Sequence, residues 1–472
     1  MDVRFGTVAG RGVIAATVLG SGIAFLDGTV VNVALPAIAE DLDSDIAALQ
    51  WTIDAYLVTL TALLLLGGSI GDRYGRKRVY IGGLIAFTLA SIACAAAPSA
   101  TMLAVSRAVQ GVGAAFLVPG SLAIIGATFA SEDRSRAIGA WSGLAGVASA
   151  LGPFVGGWLV DAASWRFVFL INVPLAAVAV LITAKYVPET RAPVHAPPDI
   201  VGAILVSAGL GIACWGLIEQ LVVPSLVGVA LFALFVVVEA RSSHPMLPVS
   251  MFKNSQFSGA NATTFAVYAA LGGAFFLLVL ELQLALGYSA LEAGLALLPV
   301  TAMMLLFSAR AGALAQRIGP RLPMTIGPLV VALGMLAFIR VEPGASYLTT
   351  FFPAAIIFGA GLSLTVAPLT STVLAAAGEN DLGVASGVNN AVARLAGLVA
   401  VAVLPAAIGL ETTMAPVELS DSVDTALLIS AAAAAVGGVI SFLTVRTGAV
   451  VAPTLQGAEQ PCLDPCRANM AA

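Results

Sequence analysis

Gly68-Ser69-Ile70-Gly71-Asp72-Arg73-Tyr74-Gly75-Arg76-Lys77-Arg78 is the stretch that decides how this chain folds. It lies between two long apolar runs, near 48–71 and 78–97, and gathers four basic residues and one acid where those runs meet. Each run is long enough to cross a bilayer, because a helix needs about 20 mostly apolar residues to traverse ~30 Å of hydrocarbon. Lipid offers backbone groups no hydrogen-bond partner, so a spanning segment must be a helix or part of a closed barrel. These runs are continuous in Ala, Leu, Gly and Val rather than alternating, which selects the helix. A tight basic loop between two such helices then sets sidedness, since short cytoplasmic loops carry the excess of Lys and Arg.

Polar breaks divide the whole chain into fourteen runs of this kind. They lie near 11–35, 48–71, 78–97, 101–126, 137–160, 166–186, 199–219, 221–239, 258–284, 291–311, 322–341, 348–374, 383–408 and 422–446. An even count puts both termini on one side. With that side cytoplasmic, the loop is joined there by Arg4, Arg11, Arg134, Arg136, Lys185, Arg241, Lys253, Arg310 and Arg317, whereas Arg166 and Arg340 alone fall opposite, among acids such as Glu40, Asp41, Asp43 and Asp45. The reading is a multi-pass protein of the cytoplasmic membrane, in contact with the lipid bilayer. Composition agrees: 10% of residues are charged and mean hydropathy is +1.00, against roughly 25% charged in soluble domains. The net charge of −5 reflects the acidic loops and gives no reason to expect nucleic acid.

The first apolar run is long, carries Asp27 and is followed by no convincing cleavage site, so it is expected to remain as a helix rather than leave as a signal peptide. Cys94 and Cys214 lie inside spans, and Cys462 and Cys466 in a polar tail. Two tail thiols do not make a structural zinc site, so no metal is expected. Gly312-Ala313-Leu314-Ala315-Gln316-Arg317-Ile318-Gly319-Pro320-Arg321 repeats the spacing of the first loop, with Gln316 where Asp72 stood. An internal duplication follows. The expected architecture is all-α, with fourteen transmembrane helices in two pseudo-symmetric six-helix bundles, 1–190 and 258–446. A linker at 191–257 carries two inserted helices, and 447–472 form a cytoplasmic tail.

The first loop matches, at every defining position, the cytoplasmic loop between helices two and three of the major facilitator superfamily. Further segments resemble the fourteen-span drug:proton antiporters of that superfamily: Leu26-Asp27-Gly28 through Pro36 on helix one, Arg107-Ala108-Val109-Gln110-Gly111-Val112-Gly113 on helix four, and Trp165-Arg166-Phe167 through Asn172-Val173-Pro174 on helix six. Helix five resembles the antiporter motif from Gly139 to Gly152-Pro153-Phe154-Val155-Gly156-Gly157, departing from it at Ala148, where glycine is usual. Ala148, Gly152 and Gly156 are four apart and form a small-residue stripe for close helix approach. The resemblance implies gating by Gly68, Asp72, Arg73, Gly75, Lys77 and Arg78, with Asp72 meeting nearby arginines or neighbouring helix ends. Gly68 and Gly75 are expected to permit close approach and a tight turn. It also implies a substrate site between the halves near the midplane.

Ionisable side chains inside a membrane cost a few kcal/mol unless paired or facing water, so they mark function by default. Asp27, with Arg107, is the expected proton-coupling pair. Asp54 beside Trp51 and Tyr56, together with Glu281, Asn389 and Arg394, are the expected substrate-binding residues, with Asp54 meeting a cationic cargo. No catalytic residue is expected. Only His195 and His244 are available for histidine chemistry, and no Gly-x-x-x-x-Gly-Lys-[Ser/Thr] loop binds a nucleotide. The family reading is therefore a monomeric, cofactor-free exporter of small lipophilic, cationic drugs or antibiotics in exchange for protons. Export of an endogenous metabolite or lipid is the nearest alternative, and a membrane enzyme or receptor the distant one.

Overall fold

The computed structural model describes residues 3–191, 199–243, 245–341, 344–377, 382–410 and 414–446. His195, His244, Cys462, Cys466 and the 447–472 tail lie outside the described residues. Among those described, the only structure other than helix and turn is an isolated bridge between Val3 and Phe129. The helices are α1 (Val8–Asp41), α2 (Ile46–Tyr74), α3 (Arg76–Ala95), α4 (Ala100–Thr128), α5 (Ser131–Ala162), α6 (Arg166–Leu170), α7 (Asn172–Tyr186), α8 (Ile200–Ile218) and α9 (Val222–Arg241). Then come α10 (Ser255–Leu280), α11 (Ala290–Ala296), α12 (Leu298–Ile318), α13 (Arg321–Phe338), α14 (Phe352–Ala376), α15 (Leu382–Ala407) and α16 (Pro416–Thr444). Fourteen helical stretches are long and apolar enough to cross a membrane, the expected number. The protein is an integral multi-pass membrane protein.

Helix starts follow local chemistry. Thr7, Asp45, Ser99 and Asn254 cap α1, α2, α4 and α10, each side-chain oxygen accepting a backbone N–H of the first turn. Two expected spans are each interrupted once, at Ile171 between α6 and α7 and at Leu297 between α11 and α12. A π-helical turn, Glu281–Ala285, extends α10, and another, Tyr347–Phe351, opens into α14. The duplication shows in the backbone. Gly75 ends α2 at φ 114° and Gly319 ends α12 at φ 86°, at matching positions of the two loop copies. Only glycine adopts such angles without strain.

Packing separates the chain into groups. Helices α1–α7 pack chiefly on one another, with α1 against α4, α5 and α7, and α2 against α4. In the second group α10 packs on α15 and α16, α13 on α14 and α16, and α12 on α14. The inserted α8 and α9 pack on each other, and α8 also leans on both α2 and α15.

Contacts between the two groups gather toward the acid-rich end of the bundle. There Asp161 accepts N–H groups of Ala290 (3.2 Å) and Leu291 (2.9 Å), and Gln283 Nε2 donates to the Val33 carbonyl at 3.0 Å. Gln50 Nε2 donates to the Val401 carbonyl at 2.6 Å. A Cβ on Gly157 would meet the Ala290 backbone, and one on Gly294 the Pro153 backbone. Toward the basic end, by contrast, residues 136–146 of α5 and 304–314 of α12 are largely exposed. Along that seam the groups are closed at the acidic end and parted at the basic one.

Candidate functional site

Asp27 lies in the body of α1 with no exposed surface, and Arg107 reaches it from α4. Arg107 Nη1 donates to Asp27 Oδ2 and also to Gln110 Oε1, 2.6 Å away. Its Nε donates to the Thr52 carbonyl at 2.9 Å, and its guanidinium lies 4.3 Å from the Tyr56 ring centroid. The other carboxylate oxygen, Asp27 Oδ1, accepts from Gln110 Nε2 (2.9 Å) and Asn172 Nδ2 (3.0 Å). Ser91 on α3 completes the network, accepting from both Gln110 (2.8 Å) and Asn172 (3.3 Å). Five helices, α1 to α4 and α7, thus converge on one buried ion pair. A buried charge is tolerated only when paired and hydrogen-bonded, and both conditions are met.

The expected substrate residues do not form one cluster. Tyr56 belongs to the ion-pair network, its hydroxyl donating to the Ala24 carbonyl at 3.1 Å. Asp54 is fully buried, and neither carboxyl oxygen has a hydrogen-bond partner. It lies within electrostatic reach of Cys214 on α8, on the stretch of α2 whose Trp51 and Val58 pack with Cys214 and Leu398. Trp51 and Asp54 therefore face the junction of α2, α8 and α15. Glu281 is also fully buried, its Oε1 accepting from Ser420 of α16 at 2.9 Å, with Asp424 nearby. Asn389 accepts from Thr264 of α10 at 2.8 Å. Arg394 alone points across to the first group, 5.7 Å from the Phe25 ring centroid on α1.

In the basic loop, Asp72 near the end of α2 pairs at 2.7 Å with Arg76, the first residue of α3 and one of the nearby arginines expected to meet it. The ties across the bundle come from elsewhere. Glu189, just past α7, accepts the N–H groups of Lys77 (3.1 Å) and Arg78 (3.2 Å) at the start of α3, where an anion suits the helix dipole. Lys77 Nζ donates to the Ala184 carbonyl at 2.8 Å, and Arg76 N to that of Thr190 at 3.0 Å. Gly75 is needed for its φ of 114°, which L side chains rarely adopt, and it lies close under the Glu189 carboxylate. Gly68 is not a close-approach position: its Cβ would sit at an ordinary 3.6 Å from Pro119, whereas one on Gly67 would strike the Ala115 carbonyl. Arg73 lies 5.7 Å from the Tyr74 ring.

The helix-five stripe packs as its spacing predicts. Cβ atoms on Gly152 and Gly156 would collide with Thr29 and Val30 of α1, and Ala148 faces Gly22. Gly157 departs from the stripe to meet the second group. Gly139 has nothing within 4 Å of a Cβ and serves no close contact. Pro153 lies inside an otherwise continuous α5, and its carbonyl abuts Gly294.

The model of the Major Facilitator Superfamily matches residues 17–401. The chain belongs to that superfamily. It is similar to the methylenomycin A resistance protein of Bacillus subtilis, 35% identical over 415 residues that cover 86% of this chain and 89% of the relative. The multidrug resistance protein Stp of Mycobacterium tuberculosis is 34% identical, covering 83% of this chain and 74% of its own. The probable actinorhodin transporter of Streptomyces coelicolor is 33% identical, with coverage of 84% and 74%. Among solved structures, an auto-inhibited peptide transporter of the POT family aligns with a TM-score of 0.70 at 16% identity, covering 95% of this chain and 99% of that one. A bacterial homologue of the human lysosomal transporter Spinster aligns at 0.67 and 17%, covering 94% and 98%. At such identities the two structures speak for the fold alone.

Set in this superfamily fold, several working residues escaped the sequence reading. Ser91 and Cys94 sit opposite Gln110 on α3, the thiol 3.7 Å from Gln110 Oε1. Their signal was the polar pair itself, three residues apart on one face of an apolar helix. Glu189 and Asp161 carried no motif; each acts through a partner more than a hundred residues away. Asn172 stood within a quoted motif without a role, and the structure gives it one.

Proposed function

We propose that the protein is a proton-driven exporter, moving small lipophilic drugs or antibiotics out across the cytoplasmic membrane in exchange for protons by alternating access. The observation that carries this reading is the buried Asp27–Arg107 pair, tied to five helices of the first group. For Asp27 to take a proton it must release Arg107. That release disturbs the donors on α4 and α7 and the Thr52 carbonyl acceptor on α2 together, so proton binding and helix rearrangement become one event. The names of the relatives, resistance and export proteins from Bacillus, Mycobacterium and Streptomyces, support the direction of transport.

The moving bodies in this reading are residues 1–190 and 258–446, with 191–257 as the inserted linker and 447–472 as a tail. The basic end faces the cytoplasm, with both termini there, and a monomer suffices because the site lies between the two halves of one chain. No cofactor is required, the proton gradient being the energy source, and no catalytic activity is assigned. The family reading of the sequence expects a cationic cargo met by Asp54, which here lies buried within electrostatic reach of Cys214 on α8.

Reconstituted vesicles test the proposal. A pH gradient imposed across the membrane should drive uphill movement of antibiotics or dyes, and adding substrate should move protons the other way. Uphill transport that persists after the gradient is collapsed would remove the antiport reading. Orientation has its own check: a cysteine at Glu40 should react with an impermeant thiol reagent outside intact cells, and one at Arg78 should not.

A further inference from the structure

Gly28, in the middle of α1, is exposed, and nothing lies within 4 Å of where its Cβ would stand. Neighbours from both groups surround the remaining sides of this helix: α4, α5 and α7 from one, α10 and α11 from the other. The open strip therefore faces a space inside the bundle. Phe25 and Asn32, about one turn to either side, are half-exposed on the same strip. Across from them, on α15, stands Arg394, with its guanidinium beside the Phe25 ring and the hydroxyls of Tyr56 and Tyr268 within electrostatic reach.

Among the described residues no carboxylate forms an ion pair with Arg394, and its Nε is shielded from solvent without a hydrogen-bond partner. Among the described residues, Asp27 is held by Arg107, Asp54 lies toward α8 and Glu281 accepts from Ser420 of α16, so none of the three meets Arg394. A guanidinium cannot shed its charge in a protein, so Arg394 at the open space is held either by water or by an anion that enters, and an entering anion would pair with it directly. Its planar fork matches an acidic group with two oxygens, and the adjoining Phe25 face suits a flat ring.

Granting the export reading above, we propose that Arg394 is the anion-recognising group of the transport site, and that the cargo is a flat lipophilic molecule carrying a carboxylate or other acidic oxygen. The charge preference is opposite to the one the sequence suggested.

Two xanthene dyes of opposite charge test it: fluorescein, anionic at neutral pH, and rhodamine 6G, cationic. Binding to the purified full chain is read by fluorescence polarisation. Wild-type protein should favour fluorescein by about tenfold or more in affinity, a difference of 1.4 kcal/mol. Arg394→Gln should collapse that ratio, and Arg394→Lys should restore part of it. A wild-type preference for rhodamine 6G, no fluorescein binding at all, or a ratio unchanged in Arg394→Gln would each overturn the proposal. If Arg394→Gln fails to fold, the wild-type ratio and its change in Arg394→Lys decide the matter. Proton movement is measured separately in vesicles, so a fluorescein preference without proton exchange would keep this inference and sink antiport.

Discussion

Beside the solitary Asp54, the first group of helices buries a closed ion pair, whereas Arg394 and Glu281 of the second form none among the described residues. Asp27 and Arg107 satisfy each other with help from Gln110, Asn172 and Thr52. Arg394 and Glu281 stand on different helices, and neither forms an ion pair among the described residues. A closed pair is silent until something breaks it, which suits an internal switch. A single charge next to an open space is available to whatever enters, which suits recognition. On the proposed reading, the two tasks of a coupled transporter would fall on opposite sides of the central space.

The largest effect should come from breaking the pair on one side only. Asp27→Asn leaves a buried guanidinium uncompensated, and removing one partner of a buried pair costs about 3–5 kcal/mol. Folded protein, followed by thermal unfolding in detergent, should fall sharply. Combining Asp27→Asn with Arg107→Met removes both charges and should recover much of that stability while export driven by a pH gradient stays absent. Wild-type stability in the single variant would show that the pair is not held as described, and restored export in the double variant would show that the proton travels elsewhere.

A smaller effect is expected where the groups meet. Gly157→Leu inserts a side chain into the backbone of α11, and overpacking of this kind costs about 1–3 kcal/mol, or roughly 5–150-fold in the ratio of two states. Because the contact exists only while the acidic end is closed, the cost falls on that state. A cysteine placed at Asn32, on the open strip of α1, should react faster with an impermeant reagent applied from the acidic end. Unchanged reactivity would mean that this contact does not hold the end shut.

Much of this was legible in the sequence, for reasons of range. Membrane crossings depend on the length of an apolar run, and the loop on residues a few positions apart, so both were readable. The positive φ shared by Gly75 and Gly319 follows from the same short spacing. The pairing of Asp27 with Arg107 was available only through resemblance, since 80 residues separate them. Asp54 shows the limit: Gln50, Asp54 and Thr61 form a buried polar line on one face of α2, visible by helical period, yet nothing local says that α8 and α15 cover it. Contacts between duplicated groups, such as Gln50 with Val401, depend on how the helices assemble, and no short-range pattern encodes them.

The smallest effects should come from the two loop copies. Asp72→Asn removes a partly exposed pair worth about 0–1 kcal/mol, so the amount of folded protein should barely change while export falls if the loop gates. Normal export by a well-expressed variant would take Asp72 out of the mechanism and leave Glu189 as the residue that ties the loop. The second copy gives the reciprocal test. Gln316 is exposed and stands where Asp72 does, but the position equivalent to Arg76 is Pro320, and Arg321 instead lies against the Phe442 ring at 4.3 Å. An acid at 316 would find no partner four residues on, so Gln316→Asp alone should change stability by no more than about 0.5 kcal/mol and leave export untouched. A strong effect from that one substitution would mean that Arg317 or Arg321 turns to meet the new charge, and that the second loop can be latched as the first one is.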